Sequence, residues 1–137
     1  KIGEDLSVGF QFHLADTEAE AMKATGKYYE ENLKMFGPLR LHRGLTDEQI
    51  EIMGDPRRAP DGGLPSIEDA VKSQAFLAGP PERIIEQLKS VEKEYPALER
   101  IGVSHPMGTP QSVITEQLEW FGKEVMPAFK GKVGANA

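Results

Sequence analysis

Two histidines stand out as the side chains most able to do chemistry in this sequence. His13 follows Gln11 by two residues in the stretch S-V-G-F-Q-F-H-L-A (7–15), so the pair shares one face of an extended segment. An imidazole at the end of such a segment changes charge near neutral pH, and it can donate or accept a proton. The bland alternative is a histidine satisfied by a neighbouring polar group. Ser104-His105-Pro106 closes a second apolar run, R-I-G-V-S, and either lines a site or makes an exposed turn. Gly79 opens Gly79-Pro80-Pro81-Glu82, a turn into a helix where backbone amides can approach an anion. The two prolines remove donors there, and a glycine is just as much at home making the turn itself. Arg40, His42, Arg43, Arg57 and Arg58 fall in an irregular stretch. They read either as steering charges for an anionic ligand or as a solvated loop. The sequence contains no P-loop, no G-x-G-x-x-G, no metal-spaced cluster and no serine in a nucleophile-elbow context.

The elements that must position these residues can be read from periodicity. Residues 7–15 alternate Val8, Phe10, Phe12 and Leu14 against Gly9, Gln11 and His13, the pattern of a strand. Thr17 with Glu20 forms a capping box that starts a helix running to about Lys34, ahead of Gly37 and Pro38. Thr46 with Gln49, and Ser66 with Asp69, open two short helices either side of a Gly/Pro-rich loop over 54–65. Ala75 to Ala78 is a short apolar strand. It leads into a helix with a proline in its first turn and an apolar face of Ile84, Ile85, Leu88 and Val91. Arg100 to Ser104 is a third strand, and Thr109-Pro110 is expected to cap a last helix. Val113, Ile114, Gln117, Leu118, Phe121 and Val125 recur along that helix at helical spacing, and Pro127 ends it. Phe121 reads as packing, and Glu82 with Glu86 as a solvated pair.

Strand–helix alternation implies parallel strands with helical crossovers, an α/β arrangement. Three such units are expected to form an arc of a larger sheet, about a third of the roughly 250 residues of a (β/α)8 TIM barrel. In that arc Val8, Phe10, Phe12 and Leu14 face the helices, while Gln11 and His13 point into the lumen at the active-site end. Residues 1–130 are then a partial barrel domain with a helical insertion at about 35–73, and 131–137 a disordered tail.

The 137 residues carry 22 acidic against 16 basic side chains, a formal charge of −6. A surface of that sign repels phosphate backbones and anionic lipid, so neither nucleic acid nor a membrane is an expected partner. Cysteine is absent, which removes disulfides, thiolate metal sites and cysteine nucleophiles from the segment. No run of about 18 apolar residues occurs. A cytoplasmic protein is the expectation, and a chain that opens at Lys1 close to a strand reads as a piece of a longer one.

The stretches A-F-L-A-G-P-P-E-R-I-I-E-Q-L (75–88), R-I-G-V-S-H-P (100–106) and Q-L-E-W-F-G-K-E-V-M-P-A-F (117–129) resemble the carboxyl-terminal end of bacterial-luciferase-like flavin-dependent monooxygenases. Residues 15–21, A-D-T-E-A-E-A, resemble that family's sixth strand–helix junction. The resemblance implies a TIM barrel that binds reduced FMN, or a deazaflavin, and activates dioxygen to oxidise a small organic substrate. It further implies His13 as a catalytic candidate, and Gln11, Gly79, Ser104 and His105 as cofactor contacts. The phosphate-binding segment and five earlier strands would lie upstream. The segment alone is therefore expected to bind flavin poorly and to be inactive, with the missing barrel half or a second copy as its structural partner. The rival expectation is a stand-alone α/β binding or assembly module without catalysis.

Overall fold

In the computed structural model, residues 1–36, 39, 45–55, 57–58 and 63–130 are described. Alternation in the first stretch produces β1 (Ser7–Leu14). Thr17 then accepts a hydrogen bond from the Glu20 amide and donates one to its carboxylate, so α1 (Glu18–Phe36) starts where the capping box predicts. Complete capping boxes at Thr46/Gln49 and Ser66/Asp69 start α2 (Asp47–Met53) and α3 (Ile67–Lys72). The second half follows as β2 (Phe76–Gly79), α4 (Pro81–Glu94), β3 (Arg100–Ser104) and α5 (Gln111–Trp120). A π-helical turn, Phe121–Val125, and a 3-10 turn, Met126–Ala128, extend α5.

All pairing is parallel, as alternation requires, but the order is β2-β1-β3. Leu14 sits opposite Gly79 on one side of β1, and Gln11 opposite Ser104 on the other. An arc of a barrel would keep the strands in chain order with helices on one side only. Here β1 is central and both faces carry helices. Phe12, Leu14 and Leu77 pack with Ile84 and Leu88 of α4 and with Phe121 and Val125 of the π turn. On the opposite face Phe76 and Ala78 pack with Ala21 of α1 and with Ile67, Ala70 and Val71 of α3. The physical reason is the apolar content of both faces. Phe76 and Ala78 alternate with Leu77, and every residue of β2 is buried. A strand apolar on both sides must be covered on both sides.

This arrangement corrects several expectations. His13 does not point into a lumen, because its face of the sheet is the one over which α1 passes. The insertion is built into the core, because α3 supplies part of the second core cluster. The stripe expected on α5 is narrower than read: Gln117 is 4% exposed as expected, whereas Leu118 is 45% exposed. Thr109 does not cap α5. Its hydroxyl donates to the Pro106 carbonyl at 2.7 Å, and Pro110 takes the cap position without a side-chain bond. The expected tail at 131–137 and the expected roles of Arg40, His42 and Arg43 lie outside the described residues. No helix among the described residues is long and apolar enough to cross a membrane.

Candidate functional site

The loop after β1 turns into α1 on one face of the sheet. The loop after β3 turns into α5, whose π extension packs on the other face. Where consecutive connections leave to opposite faces, a crevice opens outside the carboxyl ends of the strands, the usual ligand position in open α/β sheets. A cleft of ≈ 500 Å3 lies there. Its walls are the end of β1 (His13 to Asp16), one side of α1 (Glu20, Ala24, Thr25, Tyr28) and one side of α5 (Val113, Glu116, Gln117, Trp120), with Thr109 between.

Three contacts hold the cleft in shape. The Gln117 amide donates from Nε2 to the Leu14 carbonyl at 2.9 Å, and its Oε1 accepts the Leu14 N–H. Leu14 lies beyond the last β1–β3 pair, Gln11–Ser104. The Gln117 side chain thus continues the ladder where β3 has stopped. Asn32, buried near the end of α1, accepts from the Met107 amide at 3.3 Å and ties α1 to the loop after β3. That loop turns at Gly108, whose φ is +88° and beside which Tyr28 lies. A side chain there would be strained, because L residues avoid that backbone region.

The β1–β3 pairing sets His105 beside Phe12, the neighbour of His13 on β1. His105 stacks tilted on the Phe12 ring with centroids 4.6 Å apart, and its charge is felt at His13. His13 is 7% exposed, and its Nδ1 has no hydrogen-bond partner; neither ring nitrogen of His105 has one in hydrogen-bond geometry. Burial, and then the neighbouring His105, hold His13 below the ordinary imidazole range. Burial does the same to His105, with the nearby Phe12 carbonyl pulling weakly the other way. Both rings are thus kept neutral, each able to donate from one nitrogen and accept at the other.

This sets a pH dependence. Between the depressed folded value and 6.5, the unfolded chain binds protons at these histidines that the folded chain refuses. Stability from them is fully present above about 6.5 and is lost as pH falls below it. The thermal midpoint, followed by circular dichroism, is expected to drop between pH 8 and pH 5.5, and the double variant His13→Gln/His105→Gln is expected to flatten that slope. An unchanged slope in the double variant would remove the histidines from the account.

Of the other residues singled out in the sequence, Ser104 is exposed and Gln11 half-buried, level with one another on β1 and β3. Neither lines the cleft. Gly79 has φ +122°, and a Cβ there would lie 3.6 Å from Glu18 Cα and from Arg83. Its carbonyl accepts the Ala15 amide. Gly79 therefore serves the turn and is not gathered with the histidines. Arg57 and Arg58 are exposed. Glu82 and Glu86 are exposed as read, with Glu86 accepting from Arg83 at 2.8 Å. Gln117 and Asn32 carry the site and have no sequence signature, since each is one polar residue whose partner is a distant backbone group. Gln87 on α4 is buried with neither amide atom bonded, and it does not line the cleft.

The cleft lining holds three carboxylates, Asp16, Glu20 and Glu116, and no lysine or arginine. The FMN implied by the resemblance carries a phosphate of the same sign, and that end of the molecule does not fit these residues. A neutral imidazole can pair with carbonyl and nitrogen atoms of a ring. Among the described residues no group of three or more His, Asp or Glu is placed to hold a metal ion. Comparison of the chain with protein-family models and with curated proteins finds no match.

Proposed function

We propose that the chain is the carboxyl-terminal share of a flavin-dependent oxidoreductase of the luciferase-like monooxygenase type, acting with reduced FMN or a deazaflavin and dioxygen on a small organic substrate. The observation that carries the reading is His13, buried with an unbonded ring nitrogen at the carboxyl end of a parallel strand and lining a cleft there. Catalytic residues of barrel enzymes come from that end of the strands. The stretches that resemble the family also occupy suitable elements: 79–82 is a strand-to-helix turn, and 124–129 closes the last helix. When bound, the flavin supplies the oxygen chemistry. The share of this chain is to present the buried, neutral His13 imidazole and to keep water from it. Holding the flavin phosphate falls to the upstream barrel half. In a completed ring β3 must leave β1 and pair with the outer edge of β2, because consecutive barrel strands are neighbours.

A second reading, an independent α/β binding module, is favoured by the β2-β1-β3 order and by apolar clusters on both faces of the sheet. Titration with FMN, followed by flavin fluorescence, separates the two. The flavin reading expects weak binding by the chain alone and tight binding once an upstream barrel half is joined to it. Absence of binding by the joined protein defeats that reading, and a cooperative, monomeric melt of the chain alone, unchanged by FMN, favours the module.

A further inference from the structure

We infer that the cleft between α1 and α5 is a binding site for a small organic cation, an amine with an apolar or aromatic body. The inference stands on the cleft alone and holds whether or not the chain works with a flavin.

Charge is the first ground. Asp16 at the end of β1, Glu20 on α1 and Glu116 on α5 approach the same space from three elements, and no lysine or arginine lines it. Three exposed carboxylates are not a site in themselves, because solvation explains them equally well. The second ground is His13, more than nine-tenths buried, lining the same cleft and carrying a ring nitrogen without a partner. A buried polar atom left unbonded costs stability, and its persistence beside a cavity fits a group that meets a ligand. The third ground is the aromatic wall. Trp120 and Tyr28 line opposite helices of the cleft, and indole is the strongest ring partner for a cation. Tyr28 already accepts one: the Lys27 ammonium lies 4.7 Å from its ring centroid. Trp120 is therefore the ring left for a ligand ammonium, with the carboxylates nearby and the apolar side chains of Ala24 and Val113 for the ligand body. An anionic ligand meets three like charges in the same place.

Trp120 is the only tryptophan in the chain, so its emission reports on the site directly. The probes are phenethylamine and two analogues of similar shape, phenethyl alcohol (neutral) and hydrocinnamate (anionic), titrated into the full chain. An open cleft and a ligand this small set the amine affinity at about 1–10 mM. The amine is expected to change Trp120 emission saturably. The alcohol and the anion are expected to bind at least about five-fold more weakly, and Glu116→Gln to weaken the amine about three-fold, the size of one screened surface charge pair. Glu116→Gln should leave the weak alcohol response unchanged, and Asp16→Asn should repeat its effect from the other wall. Equal responses to all three probes, no saturable response to the amine, or an amine affinity indifferent to both substitutions would each overturn the inference.

Discussion

Phe12→Ala is expected to cost about 3–5 kcal/mol, the range for removing a fully buried phenylalanine from a close-packed core. Phe12 is 0% exposed and lies on the central strand. Its ring packs 4.9 Å from the Phe121 ring and 4.6 Å from His105. One substitution thus opens a void shared by the sheet, the π turn and the histidine loop. A domain of this size is stable by about 5–15 kcal/mol in total, so the loss takes a large share of it. Urea titration followed by far-ultraviolet circular dichroism should show the midpoint collapse toward zero denaturant. Phe129→Ala, at the partly buried margin of the same cluster, should shift the midpoint far less. Equal shifts from the two would mean that the core is not centred on β1.

The second large effect is expected at Gln117. Its amide satisfies both the N–H and the C=O of Leu14 at a point where β3 no longer can. Gln117→Leu leaves both backbone groups buried and unbonded, at about 2–4 kcal/mol for the pair. Gln117→Glu is the sharper test. A carboxylate accepts the Leu14 N–H as before, but it has no hydrogen to offer the carbonyl and sets charge against it. Once protonated, the acid regains a donor while keeping an acceptor. Relative to the parent at each pH, Gln117→Glu should therefore be strongly destabilised at pH 7.5 and partly restored at pH 4.5, read from thermal midpoints. A deficit that does not change with pH would show that the site tolerates a side chain of this shape without needing its hydrogen bonds.

Local rules carried far in this chain, and the point at which they stop is physical. Thr46 with Gln49 and Ser66 with Asp69 start helices because a cap bonds to amides three residues away. The alternation of 7–15 told which residues share a face, and Phe12 and Leu14 are buried together as it implies. It did not tell what lies over each face. The neighbour of β1 depends on contacts between residues some ninety positions apart, such as Gln11 with Ser104, and no spacing in the sequence encodes that choice. The order β2-β1-β3 was therefore not legible, and with it went the lumen expected for His13 and Gln11. His13 and His105 were each legible as candidates from their place at strand ends. That His105 packs on Phe12, next to His13 along β1, depends on the same long-range pairing. Gly79, legible as a turn, makes one at φ +122°.

The placing of Val125 beyond α5 follows from the wide turn there, closed by the Met126 N–H bonding back to the Phe121 carbonyl. In an α-helix, four residues overshoot a full revolution by about 40°, so Gln117, Phe121 and Val125 would fan outward in succession. A turn with five-residue spacing undershoots, which cancels the drift and leaves Phe121 and Val125 both in the core. The extra residue works as a phase correction, like a leap day that keeps a calendar aligned with the sun. A chain one residue shorter between Trp120 and Met126 would send Val125 out toward solvent and put a neighbour of the wrong size where Leu77 and Leu88 now expect it.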